Sequence, residues 1–300
     1  VPVPQTTSDV LGTVLREIRF ATAAYRWIEM SGEFRLVFDR PGLRGVHLIT
    51  SGRCDLSLAG EVVPLSEGDT VILPKGDNHE LVYGVAPATS GFELAARAEG
   101  VRLRHGTAGP STTIVCGAFV AGEPDHPALS GLPRVILIPA AESQWLAPYV
   151  EALRQEAFEA GPGSDVVMAR LSDAMIARAI RRHGEVTDHP GWLAGLRDPH
   201  LAAALGAMHG DPGRPWALAS LAATARLSRT AFAARFSAAV GEPPVHYLRA
   251  LRLHKARLLL RDERLTVAAV AARVGYTSEF AFASAFRRAY GVPPGIWRST

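Results

Sequence analysis

The 300-residue chain reads as a two-domain α+β protein: a strand-rich first part, a helical connector, and an all-α C-terminal part that uses one helical module twice. Three observations predict this. Short β-type runs between Gly, Pro and Asp turns fill residues 34–94, amphipathic periodicity replaces them after residue 142, and LSRTAFAARFSAAVGEPPVHYLR at 227–249 is echoed by TSEFAFASAFRRAYGVPPGIWR at 277–298. The parts divide as 1–140, 141–196 and 197–300.

The runs FRLVF, VHLIT, CDLSL, TVILP and HELVY alternate with turns such as PGLRG, TSGR and SEGD. Many short, closely spaced strands indicate an antiparallel barrel or sandwich. TTIVCGAFV adds a later strand. In the connector, Val150, Leu153 and Ala157 share one helix face, and Val167, Leu171, Ile176 and Ile180 line a second amphipathic helix beyond GPG at 161–163. Such a stripe either packs on its own domain or joins two copies of the chain.

In the C-terminal part, Asp198 is placed to cap a first helix, with DPGRP as the following loop. The repeat then has a register. Ser228, Phe232, Phe236, Gly241, Pro243, Pro244 and Tyr247 match Ser278, Phe282, Phe286, Gly291, Pro293, Pro294 and Trp297 at an offset of fifty, whereas Leu221 to Ala223 match Val270 to Ala272 at forty-nine. The second turn therefore holds one extra residue. In each copy a serine N-cap opens a helix, phenylalanines every four residues make its apolar stripe, and a glycine followed by Pro-Pro ends it. Ala223 and Ala272 are small enough for close contact at the turn. Each half is a helix-turn-helix. Between them Pro244 to Leu260 forms one helix of about 25 Å, a strut that sets two reading helices into successive major-groove segments. Charge agrees: residues 197–300 hold 15 Lys and Arg against 6 Asp and Glu, net +9, leaving −6 for the rest of a chain whose total is +3. A basic end on an acidic body suits phosphate binding.

LASLAATARLSRTAFAARF, LRALRLHKARLLL and VAAVAARVGYTSEFAFASAFRRAYGVPPGIWR closely resemble the DNA-binding domain of the AraC/XylS family of transcription regulators. The resemblance implies double-stranded operator DNA as a partner, and RNA polymerase if the protein is an activator. Opposite the Phe232/Phe236 stripe lie Thr230, Ala234 and Ser237, with Arg229 at the N-terminal edge; opposite Phe282/Phe286 lie Phe280, Ser284, Arg287 and Arg288, with Ala281 beside them. These match the positions that contact DNA in the family. Small residues stand where the family often has longer polar ones, so few hydrogen-bonded base contacts are expected. Phe280 either meets a thymine methyl or packs on the linker helix. Arg235, Arg287, Arg288, Arg249, Arg252, Lys255 and Arg257 read as phosphate ligands, which set register rather than sequence; Arg252 alternatively pairs with Asp262 or Glu263.

In the first part, GDTVILPKGDNH places Gly68, Pro74, Gly76 and His79 at a spacing that resembles the second motif of the cupin barrels, and RGVHLITSG resembles what remains of the first. The fold expected is a cupin-like antiparallel β-barrel, and the pairing with the C-terminal domain resembles the cupin-type sensors of the AraC family. Metal-binding cupins bring two histidines and a glutamate from the first motif. Here only His47 stands there, followed by Leu48 and Ile49. Three readings stay open for His47, His79 and Cys116: a zinc site of two imidazoles and a thiolate, polar anchors of an organic effector pocket, or hydrogen-bonded barrel residues around a buried thiol. Either cysteine, Cys54 or Cys116, would serve as a redox sensor if its pKa were lowered.

Two cysteines exclude a disulfide scaffold, and no apolar run approaches the roughly eighteen residues of a membrane span. A soluble cytoplasmic protein is expected, forming a homodimer. The function expected is a sequence-specific regulator whose barrel senses a small molecule, a metal or an oxidant; the competing reading is a metal-dependent cupin enzyme, or a base-modifying one, joined to a DNA-binding part.

Overall fold

The structure is a computed structural model that describes residues 9–18, 20–40, 42–98, 100–106, 108–123, 126–159, 161–261 and 264–298. Helix α1 (Val10–Ile18) precedes β1 (Phe20–Ser31), β2 (Phe34–Phe38), β3 (Arg44–Ser51), β4 (Arg53–Leu58), β5 (Glu61–Ser66), β6 (Thr70–Leu73), β7 (His79–Tyr83) and β8 (Ala88–Ser90). Then come α2 (Gly91–Ala96), β9 (Arg102–Gly106), β10 (Ser111–Ala121), α3 (Pro127–Ser130) and β11 (Ile136–Ile138). The remainder is helical: α4 (Ala147–Phe158), α5 (Ser164–Val186), α6 (Trp192–Leu196), α7 (Pro199–Gly210), α8 (Leu218–Thr224), α9 (Arg229–Val240), α10 (Pro244–Leu259), α11 (Val267–Arg273), α12 (Glu279–Tyr290) and α13 (Pro294–Arg298).

The strands form two sheets, β11-β6-β3-β10-β1-β9 and β5-β4-β7-β2-β8. Alternation decides which side chains face inward. In β4, Cys54, Leu56 and Leu58 are buried while Arg53 and Asp55 are exposed, as a half-buried strand requires. The inward sets of both sheets, among them Ile28, Met30, Leu36, Ile49, Leu56, Leu81 and Ile114, make one core. The five quoted runs all become strands, but the long β1 does not stand out in FATAAYRWIEMS. Two details refine the antiparallel expectation: β1–β9 and β2–β8 pair in parallel, and the two sheets are not closed into one hydrogen-bonded barrel.

The chain divides into two units, and the boundaries expected at 140 and 196 move. Among the described residues, one unit takes 18–123 and 132–183 and the other 9–17, 126–131, 184–261 and 264–298. Most of the supposed connector therefore belongs to the strand unit. The cause is packing. Leu153 and Ala157 of α4, and Met168, Met175, Ile176, Ala179 and Ile180 of α5, are buried, and Phe158 meets Trp27 of β1 edge-on at 5.7 Å under the Arg102 guanidinium. Val167, expected on the buried stripe of α5, is exposed.

In the helical unit each expected cap is made. The side chains of Asp198, Ser228 and Ser278 accept from the backbone N–H of His200, Ala231 and Ala281, which satisfies donors that a helix start leaves open. Gly241 and Gly291 close α9 and α12 at φ of 87° and 79°, a left-handed conformation that costs glycine little. Phe232, Phe236, Phe282 and Phe286 are fully buried, each worth about 1.5–3 kcal/mol of transfer free energy. The small residues in close contact at the turns sit one position before those expected: Ala222 and Ala271 are buried, whereas Ala223 and Ala272 are exposed. The chain also contributes α3 to this unit, where the Trp192 indole N–H donates to the Ala128 carbonyl at 2.9 Å.

Candidate DNA-reading surface and sensor cavity

The two turns superpose in their hydrogen bonding. Leu227 N donates to Ala222 O, and Tyr276 N to Ala271 O, both at 2.9 Å. Arg226 at φ 54° corresponds to Gly275 at φ 82°. The registers agree through Leu227 and Tyr276, so Thr277 is the extra residue noticed in the sequence. Each serine then starts a helix whose phenylalanines face inward: Phe232 against Phe236 and Phe236 against Tyr247 of α10, Phe282 against Tyr276 and Phe286 against Tyr290 and Trp297.

That packing turns the opposite faces outward. On α9, Arg229, Thr230, Ala234 and Arg235 are exposed and Ser237 half-buried; on α12, Ala281, Arg287 and Arg288 are exposed and Ser284 half-buried. Phe280 is 84% exposed, so it does not pack on the linker helix. The arginines separate into two groups. Arg287, Arg288 and Arg249 present their side chains outward, and Arg249 and Arg288 line one shallow hollow between α10 and α12. Three others are engaged by groups of the protein itself. Arg252 donates to the carbonyls of Pro212 and Arg214 at 2.8 and 2.7 Å and so clamps the loop between α7 and α8. Arg235 pairs with Asp198, the cap of α7. Arg257 is only 2% exposed, its guanidinium over the rings of Tyr290 and Trp297. Arg257 therefore corrects the expectation of an outward phosphate ligand on α10. The acids proposed for Arg252, Asp262 and Glu263, lie outside the described residues.

In the strand unit, register brings the sensor candidates together. Cys116 of β10 pairs with His47 of β3, and His79 opens β7. His47 Nδ1 lies 3.3 Å from Cys116 Sγ, His47 Nε2 lies 2.7 Å from His79 Nε2, and His79 Nδ1 lies 2.9 Å from the Asp77 carbonyl oxygen. Phe38 stacks on His79 at 4.9 Å. Gly45 makes room for the pair, because a Cβ there would lie within 3.1 Å of both imidazoles. Burial holds His47 well below the ordinary histidine range, and the neighbouring His79 adds to this. His79 is lowered as well, mainly by burial. Burial likewise raises the Cys116 thiol, and pushes Cys54 up to about 12. At neutral pH both imidazoles are uncharged and both thiols protonated.

These residues do not make the zinc site that their types allow. His47 turns opposite ring nitrogens to its two neighbours, and one ion cannot take both nitrogens of one ring. Among the described residues no group of three or more His, Cys, Asp or Glu is arranged to hold a metal ion. Leu48 and Ile49, which follow His47 in the first motif, are buried apolar residues. What the arrangement offers instead is a cavity of about 50 Å³ lined by Ile28, Phe38, Phe92, His47, His79 and Cys116, with Arg26, Arg40 and Arg44 on its wall. Arg44 donates to the Pro74 carbonyl and Arg26 to that of Ala95. Neither arginine stood out in the sequence, because each sits next to the cavity only through strand pairing.

Two outward-facing capped helices in one unit and a lined cavity in the other are the working parts of a DNA-binding transcription regulator with a sensing domain. Residues 9–185 match the Cupin family and residues 221–300 the helix-turn-helix domain family. The chain is 34% identical over 302 residues to an AraC-like transcription regulator of Streptomyces lividans, covering 97% of this chain and 98% of that one. It is 27% identical to the regulator AlkR of Acinetobacter baylyi, with 97% and 99% covered, and 31% identical to the RCS-specific activator RclR of Escherichia coli, with 84% and 83% covered. The protein belongs to the AraC-like transcription regulators with an N-terminal cupin domain. No described helix is long and apolar enough to cross a membrane.

Proposed function

We propose that α9 and α12 each enter a major-groove segment of one operator, and that the cupin cavity holds the effector that controls this binding. The observation that carries the first part is the shared geometry of the two heads: the same cap, the same turn hydrogen bond and the same inward stripe leave the same outward face. Arg229, Arg249, Arg287 and Arg288 are the phosphate ligands. Thr230, Ala234, Ser237, Ala281 and Ser284 approach the bases as small side chains, and Phe280 reads a thymine methyl. Arg235 and Arg252 are held by Asp198 and by the 211–216 loop, respectively. Footprinting the full chain on an operator selected from a random library tests this. Two protected segments about one helical turn apart are expected; a single protected segment refutes the two-headed reading. Phe280→Ala is expected to relax preference at one base pair without changing thermal stability.

The cavity is read as a sensor rather than a catalytic centre because the relatives are regulators. Its size selects among effectors. A water needs about 10–15 Å³ of such space, so 50 Å³ holds about four water-sized molecules, well below the roughly 300–1,000 Å³ of drug-sized pockets. A small reactive molecule fits; a large organic effector requires the cavity to open. Val166 and Val167, exposed on α5, offer an apolar surface for pairing two copies, to be checked by sedimentation. In this reading the protein works in the cytoplasm, with RNA polymerase as a further partner if it activates.

A further inference from the structure

The hydrogen-bonded row at the cavity has only one direction. The Asp77 carbonyl can only accept, so His79 Nδ1 carries a proton and donates to it. Neutral His79 then has a bare Nε2. His47 Nε2, 2.7 Å away, must therefore be the donor, which leaves His47 Nδ1 bare toward Cys116 Sγ. The thiol donates to it. One backbone oxygen thus fixes both tautomers and aims a base at a buried thiol.

We propose that Cys116 is the reactive atom of the sensor and that His47 and His79 are a proton relay which activates it toward small hydroperoxides. This rests on reading the cavity as the sensing site, and goes beyond it by naming the reacting atom and the route of its proton. The geometry supplies each requirement. A thiol reacts as thiolate, and burial keeps this one protonated, so its proton must leave through the protein. As the sulfur attacks, its proton moves to His47 Nδ1 while the His47 Nε2 proton passes to His79 Nε2. His79 is left as an imidazolium, held by the Asp77 carbonyl and close enough to the Asp77 carboxylate to be favoured by it. That carboxylate is itself fixed by Arg134 at 3.0 Å. The positive charge thus forms beside the Asp77 carboxylate, on the ring that Phe38 stacks against. The S–O bond forms as the O–O bond breaks, the departing alkoxide or hydroxide takes a proton back from the relay, and the balance is thiol plus hydroperoxide giving sulfenic acid plus alcohol or water. Sulfur is oxidised by two electrons and the peroxide reduced by two. The 50 Å³ cavity admits hydrogen peroxide and excludes bulky alkyl hydroperoxides.

The test uses the full chain and hydrogen peroxide, with sulfenic acid trapped by dimedone and the Cys116 peptide quantified by mass spectrometry. Cys116 is expected to be labelled, and His47→Gln and His79→Gln each to slow labelling by about 10²-fold, the lower end of general-base effects. Cumene hydroperoxide is expected to label Cys116 at least about tenfold more slowly, relative to free cysteine, than hydrogen peroxide does. Rates unchanged in both variants overturn the relay, and so does an unlabelled Cys116 at peroxide levels that oxidise free cysteine. Because either variant can disturb the core, imidazole ¹⁵N spectra of the unaltered protein provide a second reading: protonated Nδ1 on His79 and protonated Nε2 on His47 are expected, and the opposite pattern overturns the proposal. Operator binding before and after labelling separates the two levels. Oxidation through the relay with unchanged DNA binding leaves the chemistry standing and removes the sensor reading. An inert Cys116 removes the chemistry and leaves the DNA-binding regulator intact.

Discussion

The two helix-turn-helix heads share a backbone plan and differ in what fills and flanks it. In the first, Phe236 packs on Tyr247, whose hydroxyl meets the buried His209 at 2.7 Å, and Arg235 of the reading helix is tied to Asp198. In the second, Phe286 packs on Tyr290 and Trp297, Arg257 lies over those two rings, and Arg287 and Arg288 point outward. The same motif is thus braced by a polar network in one copy and by stacked aromatics in the other. The difference teaches that the repeat conserves the shape of the reading helix while leaving its charge and its response to pH free to diverge.

The largest effects test whether the heads are separable. Phe236→Ala and Phe286→Ala are each expected to cost about 3–5 kcal/mol, as truncation of a buried phenylalanine does. Each should remove its own protected segment from the footprint. A substitution in one head that erases both segments would show that the two heads fold as one unit.

Next comes the pH response of the first head. Burial lowers the pKa of His209 to about 4, against about 6.5 in an unfolded chain. Between those values the unfolded chain binds a proton that the folded one excludes. Stability from this source is complete above pH 6.5 and is lost as the pH falls toward 4, by up to about 3 kcal/mol. His209→Gln, melted at pH 7 and pH 5, is expected to show a smaller loss between the two than the parent. An equal loss in both would move the pH response elsewhere.

Salt dependence sharpens the contrast between the reading helices. Arg287→Ala or Arg288→Ala should weaken binding to all sequences and reduce the slope of log affinity against log salt by about one unit per lost phosphate contact. Arg235→Ala should leave the slope unchanged, because its guanidinium is engaged by Asp198. A reduced slope for Arg235→Ala would mean that this pair opens on DNA.

The smallest expected effect lies in the turns. Arg226 holds a left-handed conformation where the second head has Gly275. That conformation costs a non-glycine residue about 1–2 kcal/mol, and glycine's extra freedom in the unfolded chain returns about 0.5–1 kcal/mol of this. Arg226→Gly should therefore stabilise the first head by about 0.5 kcal/mol in denaturant titrations. Destabilisation would show that the Arg226 side chain makes a contact worth more than the strain.

The helical modules are legible in the chain alone, because caps, left-handed glycines and four-residue apolar stripes act between residues close in sequence. Ser228, Gly241, Phe232 and Phe236 meant the same thing in the sequence as they do in the fold, and so did the five strand runs bounded by turns. It also named His47, His79 and Cys116, though without their order. Tertiary structure alone decided what depends on distant partners. Whether an arginine of the basic half faces solvent or a carbonyl could not be read from its neighbours: Arg252, Arg235 and Arg257 found partners 38, 37 and 33 positions or more away. The unit boundaries depended on Phe158 meeting Trp27. The directed row from Cys116 to Asp77 required β3 and β10 to pair in one register, since a slip of one residue would have turned His47 or Cys116 to the other face of the sheet.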